Sequence, residues 1–159
     1  MHSRTCLAAL LLAVCGFLPA ASLGDPDVTD ARPQASLTAA DVVRIQLQAL
    51  RGNGPGDKGI EVAFRFATPD NREATGPLAR FARMIKQGPY ALMLSFTAAE
   101  YGPLQVMERE ARQRVTLFAP GLAPVTYVFY LQRQVDTGPL MDCWMTAGVA
   151  AIPGKGRGA

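Results

Sequence analysis

Histidine and cysteine are nearly absent from this chain of 159 residues, and where the few copies fall decides what chemistry is excluded. The only histidine is His2, and two of the three cysteines are Cys6 and Cys15. All three lie in a stretch with the pattern of a cleaved export signal. A short basic start over residues 1–5 leads into an apolar run over residues 6–18, and small residues follow over 19–24. The run is shorter than the roughly 20 apolar residues that a bilayer-spanning helix needs. A lipid anchor on Cys15 is disfavoured because Val14, rather than a small residue, precedes it. The organisation expected is a signal peptide over 1–24, a flexible lead-in over 25–36, one domain over 37–152 and a loose, Gly-rich tail over 153–159. The final compartment, whether secreted, periplasmic or an organelle lumen, stays open.

Without residues 1–24 the chain has no histidine, and Cys143 is its only cysteine. An intrachain disulfide is then excluded although the compartment permits one. A His/Cys zinc site is excluded with it, as are Ser-His-Asp and Cys-His nucleophilic machinery. No metal or cofactor is expected. Charge is also sparse: the formal +3 falls to +2, because residues 1–24 hold one arginine and no acid. The remaining arginines are scattered among acids and form no basic block, so nucleic acid is not an expected partner. No stable membrane anchor is expected after cleavage, and no Asn-x-Ser/Thr acceptor for glycosylation is present.

What is present is a core-forming composition, 49% hydrophobic and 18% charged, suited to a single domain. The first half has helical periodicity. Thr38 and Asp41 form a capping-box variant, with Leu37 and Val42 as a staple, ahead of a helix over 39–51 with Val43, Leu47 and Leu50 in its stripe. The Gly52-Asn53-Gly54-Pro55-Gly56-Asp57 run stops it. A short helix over 59–67 follows, and Pro69 is expected to end it, with Asn71 in the turn. Gly76 and Pro77 open a third helix, with Leu78, Phe81, Ala82 and Ile85 buried and Arg80 and Arg83 turned outward. From Tyr90 the period changes to that of strands. Residues 90–96 read as a strand or a last helical turn, and strands are expected over 103–108, 112–119, 125–135 and 141–152. In the 125–135 strand Val125, Tyr127, Phe129 and Leu131 share one face.

Phe66-Ala67-Thr68-Pro69 with Asn71, Thr75-Gly76-Pro77 with Arg80-Phe81 and Met84, Tyr101-Gly102-Pro103-Leu104, Gln113-Arg114-Val115, and Cys143-Trp144-Met145 with Gly148-Val149 together resemble an uncharacterised family, domain of unknown function 4864. The resemblance spans residues 40–152. It implies an α+β fold of three N-terminal helices on a curved antiparallel sheet, the cone of nuclear transport factor 2-like or SnoaL-like proteins, and implies no activity. The ketosteroid isomerases share that cone, but their catalytic pattern is not found at aligned positions.

Candidate site residues follow from chemistry alone. Asp142, beside Trp144 on an expected apolar strand, suits a general base whose pKa burial raises, with Tyr90, Tyr101, Tyr127 and Tyr130 as donors. The plainer reading is an acid near a strand end, facing solvent or paired with an arginine. Arg80 and Arg83 suit a clamp for a carboxylate or phosphate, and equally a solvated helix face. Asn71 and Thr75 suit ligand hydrogen bonds, although turn and cap duties account for them. Tyr127, Phe129, Tyr130 and Trp144 suit a pocket wall or plain core packing, and Cys143 suits a redox thiol or core. The functional expectation is a non-catalytic domain that binds a small apolar or amphipathic ligand inside the fold, or associates through its sheet as a homodimer. The alternative is a cofactor-free isomerase, cyclase or hydrolase built on Asp142.

Overall fold

In the computed structural model, which describes residues 27–153, the helices come first and pack on an open antiparallel sheet. The expected leader over 1–24 and the tail beyond Pro153 lie outside the described residues. Residues 27–36 form no helix or strand, but Val28 and Ala31 lie against the core and Arg65 Nη1 donates to the Ala31 carbonyl at 2.7 Å.

Helix α1 spans Ala39–Arg51 and begins as its sequence dictates. The Thr38 hydroxyl accepts from the Asp41 N–H, and the Asp41 carboxylate accepts from the Thr38 N–H. Helix α2, Lys58–Arg65, crosses α1 closely at the buried Gly59, where a Cβ would come within 1.9 Å of the Ala49 carbonyl oxygen. Helix α3, Pro69–Thr75, occupies the stretch expected to be a turn, so four α-helices are described where three were expected. Pro69 does not stop a helix here but starts one. It sits in the first turn, where its missing N–H has no partner to lose, and Thr68 caps it by accepting from the Asn71 N–H. Helix α4 spans Leu78–Lys86, and a 3-10 helix over Gly88–Leu94 resolves the ambiguous 90–96 stretch in favour of helix.

The sheet has the order β1-β3-β4-β5, where β1 is Ala98–Tyr101, β3 Glu110–Phe118, β4 Val125–Arg133 and β5 Trp144–Pro153. Strand β2, Gln105–Met107, pairs with the start of β3, so β1 and β2 follow one another along the same β3 edge. Alternation decides the faces. Ala111, Gln113, Val115 and Leu117 of β3 are buried, as are Tyr127, Phe129 and Leu131 of β4, and the arginines between them are exposed. At Tyr130/Leu131 the β4–β5 register slips by one residue, which leaves Ala147 unpaired and sets Thr146 opposite Leu131. Strand β5 begins at Trp144, later than the expected 141, because residues 139–142 turn and Asp142 is left-handed at φ 63°. Among the described residues no helix is long and apolar enough to cross a membrane.

Candidate ligand-binding cleft

The cleft exists because one residue of β5 holds the Phe66–Asn71 corner. Thr146 uses all of its polar groups on that corner and on α1. Its N–H donates to the Phe66 carbonyl at 2.8 Å, and its carbonyl accepts from the Thr68 N–H at 2.9 Å and from Asn71 Nδ2 at 3.0 Å. Its hydroxyl donates to Gln46 Oε1 at 2.6 Å, and Gln46 Nε2 in turn donates to the Ala63 carbonyl at 3.0 Å. Gln46 and Thr146 are both buried, and this chain of bonds satisfies them in an apolar setting.

Above this network lies a partly open cavity of about 190 Å³. Its apolar wall comes from four elements, α1, α4, β4 and β5, in their natural periodicities. Phe81, Met84 and Ile85 stand at i, i+3 and i+4 on α4, and Leu50 follows Gln46 by one turn on α1. Phe129 and Val149 face across from β4 and β5, where they are register partners. Ala63 and Ala67 are small enough to leave the space empty.

Among the described residues, the polar groups that line the cavity are Gln46, Asn71, Thr75, Tyr90 and Thr146, and no charged residue joins them. The hydroxyl protons there are already donated within the protein. Thr75 donates to the Asn71 carbonyl at 2.7 Å, closing α3, and Tyr90 donates to the Val149 carbonyl at 2.9 Å. A broader depression of about 450 Å³ lies on the other side of the sheet, among Met107, Arg112, Tyr130 and Gln132. These four side chains are exposed and of mixed polarity, so it is a surface hollow and not an apolar receptacle.

Of the residues singled out from sequence, Asn71, Thr75, Tyr90 and Phe129 line the cavity, whereas Asp142, Arg80, Arg83, Tyr127 and Trp144 do not. Asp142 lies in the turn before β5 with its side chain 52% exposed, and its carboxylate faces Arg133 Nε at 3.4 Å. The strand setting expected to bury Asp142 is absent, because the chain turns there instead of pairing. Arg80 and Arg83 are exposed on the side of α4 away from its buried stripe, and neither lines the cavity. Trp144 is half-buried against the core at the first position of β5, also outside the cavity.

The tyrosines separate just as widely. Tyr127 is buried beneath Tyr90, its hydroxyl donates to the Pro89 carbonyl at 2.6 Å, and burial pushes its pKa up to about 12. Tyr101 lies under the Arg44 guanidinium, 4.7 Å from its ring centre, and Tyr130 faces outward. Only Tyr90 of the four lines the cavity. Cys143 is buried, and burial raises its thiol pKa above the ordinary value, which is the setting of an inert core thiol. Among the described residues no cluster of three or more His, Cys, Asp or Glu side chains stands ready for a metal.

Gln46 and Thr146 went unnoticed in the sequence. The signal was slight: one amide within the apolar stripe of α1, and one hydroxyl within an apolar strand.

No curated protein and no solved structure matches the chain. The sequence profile of the family described as domain of unknown function (DUF4864) matches residues 32–158, a span that takes in α1 to β5 and every residue lining the cavity. On that match the chain belongs to the DUF4864 family.

Proposed function

We propose that the protein is a non-catalytic binding domain that takes a small, predominantly apolar molecule into the cavity between α1, α4 and the sheet. The observation that carries this reading is a largely apolar cavity beside a buried chain of hydrogen bonds from Thr146 through Gln46 to the Ala63 carbonyl. A general acid or base needs an ionisable group within hydrogen-bond reach of the reacting atom. Among the described residues Tyr90 is the only ionisable side chain lining the cavity, and its hydroxyl donates to the Val149 carbonyl. Asp142, the base of the enzymatic alternative, stands in solvent against Arg133.

The test is methyl NMR during titration with benzene or xenon, probes that bind apolar cavities of about 150 Å³. Saturable shifts confined to Met84, Ile85, Met93, Leu50 and Val149 are expected. Shifts spread over the surface, or none at millimolar probe, would refute the reading.

A second reading, self-association through the sheet, is supported by the outward face. Tyr130 is 46% and Ile152 44% exposed there, beside Phe118. Arg112 and Arg114 stand on the same face as Glu100 and Glu110, so a second copy would meet charges of the opposite sign.

A further inference from the structure

Within the binding role just proposed, the polar lining says which apolar molecule is accepted. We infer that the cleft selects a neutral, ring-sized molecule carrying one N–H or O–H donor, and discriminates against carboxylates.

Size sets the first limit. A cavity of about 150 Å³ accommodates a benzene ring, so 190 Å³ holds one ring with a substituent, or two small fused rings. A four-ring skeleton exceeds that volume and would protrude through the open side.

Hydrogen-bond direction sets the second. The Thr75 and Tyr90 hydroxyls have each donated their single proton, to the Asn71 and Val149 carbonyls. A hydroxyl has one proton and two lone pairs, so what these two present to a ligand is lone pairs. The Thr146 hydroxyl is likewise committed to Gln46 Oε1. A ligand donor therefore finds acceptors at these hydroxyls, whereas a ligand lone pair turned toward the same oxygens finds no proton there and has only the second N–H groups of the Gln46 and Asn71 amides to turn to.

Charge sets the third. Among the described residues none that lines the cavity is cationic, and the exposed Arg80 and Arg83 stand outside it. A carboxylate entering it would lose hydration with no counter-charge in return.

Indole and benzofuran isolate the donor, since they differ by N–H against O in nearly the same shape. Their affinities for the full domain, measured from the cavity methyl shifts at pH 7, are expected to favour indole by about fivefold, the worth of one net hydrogen bond. Benzoate is expected to leave the cavity methyls unmoved. Thr75→Val or Tyr90→Phe, whichever removes the acceptor used, is expected to bring indole down to benzofuran. Because each substitution also removes an internal bond, benzofuran affinity in the same variant serves as the control for cavity integrity. Equal affinities in the wild-type protein, or tighter binding of benzoate, would overturn this inference while leaving apolar binding intact. If neither ring compound moves the cavity methyls, the binding role itself falls.

Discussion

At the scale of single residues, Thr146 and Tyr127 each carry a measurable consequence. Thr146→Val keeps the shape of the side chain but strands Gln46 Oε1 in a buried setting. An unsatisfied buried acceptor costs about 1–3 kcal/mol, so urea unfolding is expected to show a loss in that range. Gln46→Met strands the Ala63 carbonyl as well as the Thr146 hydroxyl, so the double variant is expected to lose less than the sum of the two single losses, and strict additivity would contradict the account. Tyr127 concerns pH. Its folded pKa is raised from the ordinary 10.0 to about 12, so between those values the native state holds a proton that the unfolded chain releases. Its contribution is complete below pH 10 and is lost as pH rises toward 12. The Tyr127→Phe variant is expected to show a flatter stability profile over that alkaline window, and an unchanged slope would rule the tyrosine out as its source.

At the scale of elements, the approach of α2 to α1 is the most demanding contact. The Cβ of an alanine at position 59 meets main-chain atoms, Ala49 O at 1.9 Å and Asn53 Cα at 3.1 Å, which have no rotamer by which to withdraw. Gly59→Ala is therefore expected to cost about 3 kcal/mol or more by forced separation of the helices. Gly54→Ala, whose Cβ meets nothing within 4 Å, should stay within about 0.5 kcal/mol. Equal denaturation midpoints for the two variants would disprove the close crossing.

Elements whose signals are local were legible from sequence, as with the Thr38–Asp41 box and the alternation of β4. Helix α3 was not, because Pro69 is equally at home after one helix and in the first turn of the next, and only Thr68 capping distinguishes the two. The cavity was legible in part. Asn71, Thr75 and Tyr90 drew notice as polar groups, whereas Gln46 and Thr146 did not, since the partner that explains each lies 100 residues away. Asp142 misled for the opposite reason: its apolar neighbours suggested a strand that the chain leaves by a left-handed turn.

At the scale of the whole molecule, the sheet divides the protein into a covered face and an open one. Rows such as Arg112–Tyr130–Gly148 and Thr116–Thr126–Ile152 run across the open face, with Thr116 and Thr126 hydroxyls 2.9 Å apart. If copies pair through it, light scattering should give twice the chain mass at micromolar concentration, and Tyr130→Glu with Ile152→Glu should return it to the single-chain mass. A wild-type protein that scatters as one chain would end that reading without touching the cavity on the other face. The Thr146 bonds bear on the molecule's divisibility. Walls drawn from α1, the corner, α4 and β5 mean that the receptacle belongs to no contiguous segment. A fragment ending before β5 keeps every helix and still lacks Thr146 and Val149, so neither truncation nor grafting of a single segment can transplant the site.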